Sequence, residues 1–145
     1  MDANDSAPRI VVGVDGSPSS GAALRWAVRQ AELIGGTVDA VGAWEPPVAY
    51  GWSAPVVDTS LDEEAARRMF TTELREVLGD DCPVKLKGRL VLGHPAAVLL
   101  EAANGAELLV VGNRGRGGFV RAMLGSVSQQ CALHATCPVV IVRPD

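Results

Sequence analysis

At 145 residues, with 48% hydrophobic content and a formal net charge of −4, the chain is sized for one well-cored domain and offers no second block from which another could form. The acidic balance argues against a general nucleic-acid or membrane-surface role, since both need broad positive fields. Residues 1–8 are polar, without the basic start and apolar core of a secretion signal, and no apolar run approaches the roughly 18 residues of a membrane span. The expectation is a cytoplasmic protein with a flexible segment over 1–8 and one domain over 9–145. Cys82, Cys131 and Cys137 are odd in number and not spaced as CxxC, which suggests neither a disulfide framework nor a zinc site.

The β-branched run from Arg9 to Val14 predicts a first strand, ending in Asp15-Gly16-Ser17-Pro18, where Ser17 suits a helix cap and Pro18 its first turn. The helix that follows carries Ala23, Trp26, Ala27, Ala31 and Ile34 at helical spacing and stops at Gly35-Gly36. Thr37 to Trp44 predicts a second strand. The segment from Glu45 to Thr59 bears prolines and has no periodicity, so it predicts a long surface loop, and Trp44, Tyr50 and Trp52 around it could cover a ligand or the core. Ser60-Leu61-Asp62-Glu63 matches a capping box opening a helix to about Gly79. Val84 to Leu92 predicts a third strand, more polar and so nearer a sheet edge. Pro95 to Asn104 predicts a short helix, Ala106 to Val111 a buried fourth strand, Ser126 to about Ala135 a helix, and Val139 to Val142 a fifth strand.

This alternation predicts an α/β domain: an open, Rossmann-like sheet of five mainly parallel strands with helices on both faces, in the order 3-2-1-4-5. In such sheets ligands bind at the carboxyl ends of the strands where the winding reverses, between strands one and four. That crevice would unite Asp15 with Gly112-Asn113-Arg114-Gly115, a stretch followed after nine residues by Gly125-Ser126. Glycines at a strand-to-helix junction let an anion approach the main chain, and the unpaired N–H groups and positive dipole end of the next helix attract it. No Asp or Glu occurs between Leu108 and Pro144, while Arg114, Arg116 and Arg121 fall in or beside the loop.

Val12-Gly13-Val14-Asp15-Gly16-Ser17, the strand ending at Gly112, and the glycine pattern together resemble the universal stress protein family over nearly the whole chain, and the glycine spacing is that of its ATP-binding branch. The resemblance implies that Asp15 contacts the ribose or a phosphate-bound magnesium ion and that backbone near Ala43 recognises adenine. It further implies that Gly112, Gly115, Gly125, Ser126 and Val127 hold the ribose and phosphates. The full candidate ATP site is Val14, Asp15, Ser17, Ala43, Gly112, Asn113, Arg114, Gly115, Arg116, Gly125, Ser126 and Val127, with ATP and Mg²⁺ as ligands. The resemblance also implies a homodimer through the last strand, where an uncharged edge is sticky unless paired.

The function expected is nucleotide-dependent regulation through a dimer or an unknown protein partner. No Walker pattern occurs, and the only lysines are Lys85 and Lys87, so hydrolysis is expected to be slow at most and no catalytic residue is assigned. Two alternatives stay open: a true ATPase or phosphotransferase using Asp15 or His94 as base, and an interaction module binding another adenine nucleotide such as cyclic AMP. For His94 a surface cap is the simpler role. The run Arg114-Gly115-Arg116-Gly117-Gly118 resembles RNA-binding RGG segments, but it is a single copy and gives little reason to expect RNA.

Overall fold

An uninterrupted β-branched run forms β1 (Arg9–Gly13), whose burial on both faces marks a central parallel strand. In this computed structural model, which describes residues 6–45, 60–114 and 124–144, β1 leads into α1 (Pro18–Ile34). Ser17 caps that helix by accepting the Ser20 N–H, and Gly35 closes it in the left-handed conformation at φ 69°. β2 (Thr37–Trp44) follows, then α2 (Ser60–Leu78), β3 (Leu86–Leu92), α3 (Pro95–Ala102), β4 (Leu108–Gly112), α4 (Ser126–His134) and β5 (Val139–Val142).

All the strand pairs are parallel, and the sheet order is β3-β2-β1-β4-β5. β1 and β4 are therefore neighbours, with Ile10 beside Leu108 and Val12 beside Val110. Side-chain alternation divides the core into two layers. Ile10, Val12, Val38, Ala40 and Val110 pack against α1 and against Phe70 of α2, while Val11, Val41, Leu109 and Val111 pack against Val98 and Leu99 of α3 and Cys131 of α4. The polar strand β3 lies at one edge and the short β5 at the other.

Some boundaries differ from the sequence expectation. β3 begins at Leu86 rather than Val84, and α3 ends at Ala102. Ser60 is the first residue of α2 rather than the residue before it, so the cap position falls at 59, outside the described residues. Ile34 is 37% exposed, since it is the last residue before the Gly35 turn, whereas Trp26 packs partly against the core. Ahead of β1, the Pro8 carbonyl accepts the Thr37 N–H at 2.8 Å. The long loop expected over 45–59 lies outside the described residues after Glu45, with Tyr50 and Trp52 in it. No helix among the described residues is long and apolar enough to cross a membrane.

Candidate functional site

The carboxyl ends of β1, β2 and β4 meet the starts of α1, α3 and α4 around a cavity of about 100 Å³. Its walls include Val14 and Asp15 after β1, Ala43 on β2, Gly112 and Arg114 at the end of β4, and Val127 on α4. Six of the residues expected from the sequence thus line one space. Gly13, Ser20, Val41, Pro95, Leu99, Val111 and Ser128 complete it. Gly115 and Arg116 lie outside the described residues.

Asp15 is exposed, and one of its oxygens is already committed. Oδ1 accepts the Ser17 N–H at 2.9 Å and the Ser17 hydroxyl at 2.6 Å, which holds the turn into α1. Oδ2 makes no hydrogen bond among the described residues and is free to accept a ribose hydroxyl or to meet a cation. Ser17 itself is buried at the cap of α1, and its hydroxyl is taken up by Asp15 and the Ser20 N–H.

Gly112 has a packing reason for lacking a side chain. A Cβ there would fall 2.4 Å from the Ser19 hydroxyl and 2.7 Å from the Ser19 main chain, so the close seating of α1 on β4 requires glycine. Ser19 donates to the Arg114 carbonyl, and the Arg114 N–H reaches the Ser19 hydroxyl at 3.4 Å. The start of α1 thereby fixes the first residues after β4.

The entry to α4 is secured differently. The Asn113 carbonyl accepts the Gly125 N–H at 2.8 Å and the Ser128 hydroxyl at 3.2 Å, joining the end of β4 to the start of α4. Gly125 is the cap residue and supplies no side-chain hydrogen bond, so the first N–H groups of α4, on Ser126 and Val127, receive no side-chain cap. Asn113 is 8% exposed, and its Oδ1 is buried with no partner among the described residues. Backbone N–H groups without a side-chain cap at a helix start, at the positive end of its dipole, are donors of the kind that can receive an anion.

Ala43 stands two residues past Val41, the last β2 residue paired with β1, and main-chain groups two apart on a strand face the same side. Val41 accepts the Val14 N–H at 2.9 Å, so the Ala43 N–H and C=O face that side with no β1 residue in register. Its edge is open to the cavity. His94, by contrast, caps α3 by accepting the Ala96 N–H at Nδ1 and is not among the cavity walls. Lys85 and Lys87 lie near the start of β3, away from this end of the sheet.

Ser19, Ser20 and Ser128, which hold the loops together, were not singled out from the sequence. The run Ser17-Pro18-Ser19-Ser20 is a signal for the first two, and Ser128 has none beyond its place in the first turn of α4.

The model of the universal stress protein family matches residues 7–143. The chain belongs to the universal stress protein family. A universal stress protein of Mycolicibacterium smegmatis is 38% identical over 143 residues, covering 98% of this chain and 48% of that protein. One from Mycobacterium tuberculosis is 33% identical over 145 residues, covering 94% and 48%. The chain spans about half the length of the curated relatives it matches. Among solved structures, the universal stress protein UspA from Lactobacillus plantarum aligns with a TM-score of 0.76 at 27% identity, over 94% of this chain and 97% of that one. A universal stress protein in complex with cAMP aligns with a TM-score of 0.65 at 29% identity, over 97% and 100%.

Proposed function

We propose that this universal stress protein binds ATP with magnesium in the crevice at the ends of β1 and β4 and acts as a nucleotide-dependent regulator. The observation that carries this reading is one cavity walled both by Asp15, whose Oδ2 has no partner among the described residues, and by the first turn of α4, which has no side-chain cap. A carboxylate suited to ribose hydroxyls and a row of N–H groups suited to phosphate are what a nucleotide requires at its two polar parts. The free main-chain edge of Ala43 supplies a place for adenine between them. The cAMP complex of a 29% identical relative supports an adenine ligand.

Under this reading Gly112, Asn113, Arg114, Gly115 and Arg116 surround the phosphates, and Gly125, Ser126 and Val127 present the helix N–H groups. The enclosed space is smaller than the roughly 300–1,000 Å³ of an ordinary ligand pocket, so the phosphates would extend toward the segment after Arg114. No group of three or more His, Cys, Asp or Glu that could hold a metal occurs among the described residues. Magnesium would therefore be held by Asp15 together with phosphate oxygens and water, as this ion commonly is, and would neutralise phosphate charge.

Hydrolysis is slow at most on this reading. His94 is engaged as a helix cap, and the two lysines lie at the far end of β3. Regulation is exerted through a homodimer formed along the open edge of β5 and through a protein partner. The test is a calorimetric titration of the nucleotide-stripped protein with MgATP, followed by chromatography of the same mixture for ADP. Binding with little ADP is expected. Rapid ADP release would favour an ATPase, and heat with cAMP but none with MgATP would favour the cyclic nucleotide.

A further inference from the structure

Asp39 interrupts an otherwise apolar stretch of β2 with a buried carboxylate, and its partners lie on both neighbouring strands. The parallel register sets Asp39 beside Val11 and Lys87, so Arg9 and Arg89 are each two residues away along their strands on the same face of the sheet. Arg89 donates to Asp39 through Nε at 3.1 Å and Nη2 at 2.8 Å, a fork matched to the carboxylate. Arg9 stands 3.5 Å from the same carboxylate and donates to the carbonyls of Ala102 and Asn104 at 2.8 Å each. Two guanidinium groups are thereby held in fixed positions.

The short α3 rests on β2 and β1 and leaves the same face of β3 open beside it. The space between is a groove of about 660 Å³ with Lys85 and Lys87 on its rim, Glu101 on α3, and Val91 and Val98 as apolar walls. Four cations, Arg9, Lys85, Lys87 and Arg89, face two carboxylates, Asp39 and Glu101, in a protein whose net charge is −4. The side chains of Lys85 and Lys87 are exposed and make no ion pair or hydrogen bond among the described residues.

We propose that this groove is a second ligand site, for a small metabolite bearing a phosphate group. Fixed guanidinium groups and two mobile ammonium groups are the donors that phosphate recognition uses, and the apolar wall accommodates a carbon skeleton. The groove lies by the first residues of β1 and β2, at the opposite end of the sheet from the proposed ATP crevice. α3 borders both spaces, with Pro95 and Leu99 toward the crevice and Val98 and Ala102 toward the groove. The two lysines also discourage another strand from pairing with the β3 edge, but that role requires neither a groove nor two anchored arginines.

The test uses inorganic pyrophosphate as the probe, titrated into ¹⁵N-labelled protein while amide shifts are followed. Saturable shifts are expected at Thr37 to Asp39 and Lys85 to Val91. The double variant Lys85→Gln/Lys87→Gln, altered only at exposed side chains, should weaken the apparent affinity there about tenfold or more. Arg29→Gln/Arg68→Gln removes the same charge from exposed positions of α1 and α2 and should change it by less than about twofold. Shifts confined to Gly112–Arg114 and Ser126–Ser128, equal weakening by the two double variants, or no saturation would each overturn the proposal.

Discussion

Cys131 is fully buried in the layer between the sheet and α4, and burial pushes its thiol up to about 11, with nearby Cys137 adding to the rise. An unfolded thiol titrates near ~8.5, so between that pH and about 11 the folded chain keeps a proton that the unfolded chain gives up. The resulting stability is complete below ~8.5 and is lost as pH rises through about 11, amounting to roughly 3 kcal/mol. Urea unfolding of the wild type and of Cys131→Ala across pH 8 to 11 checks this. The alkaline fall should be smaller in the variant by about that amount, and equal slopes would place the loss elsewhere. Asp39 shows the other way of burying a polar residue: its carboxylate is matched by the Arg89 fork, and that bond holds the Arg89 guanidinium above its ordinary pKa.

At the scale of elements, α4 begins with a glycine whose backbone, φ −66° and ψ 162°, is extended and open to any residue. A seryl side chain at 125 would cap the helix more effectively than glycine, so Gly125→Ser should stabilise the fold by a few tenths of a kcal/mol. The same hydroxyl would compete with a phosphate for the N–H groups of Val127 and Ser128. Thermal unfolding and MgATP calorimetry on one preparation should therefore move in opposite directions, with stability slightly up and affinity down. Unchanged affinity would remove the α4 start from the phosphate site. Most of the elements were legible because β1, β4 and β5 are apolar runs rich in valine and isoleucine and several junctions carry a cap or a glycine, as at Ser17-Pro18 and Gly35. The reason for Gly112 was not legible, because it depends on how closely α1 seats on β4. The basic groove was likewise hidden: Asp39, Arg9 and Arg89 come together only through strand register, and α3 exposes the β3 face only by being short.

Across the whole molecule the two sheet edges are opposite in character. β3 carries Lys87 and Arg89, with Lys85 just before it, whereas β5 reads Val139-Val140-Ile141-Val142 without a charge. Charged edges resist another strand, and uncharged ones accept it, which is why the proposed dimer is assigned to β5. The main-chain bonds of β5 give this a sharp test. Leu109 donates to the Pro138 carbonyl and Asn113 to the Val142 carbonyl, so the even-numbered residues face β4 and the N–H groups of Val139 and Ile141 point outward. Ile141→Pro removes an outward donor and leaves the β4 ladder its own donors. In a twofold dimer the loss occurs twice, about 2 kcal/mol in all, or roughly 30-fold in dimer affinity. Ile141→Ala trims the same side chain but keeps the N–H, so it separates lost packing from the lost bond. Sedimentation equilibrium should show the proline variant shifted toward monomer with its circular dichroism retained, and the alanine variant still dimeric. A dimer that withstands Ile141→Pro would have to form on another surface, and the open edge of β5 would then need a different cover.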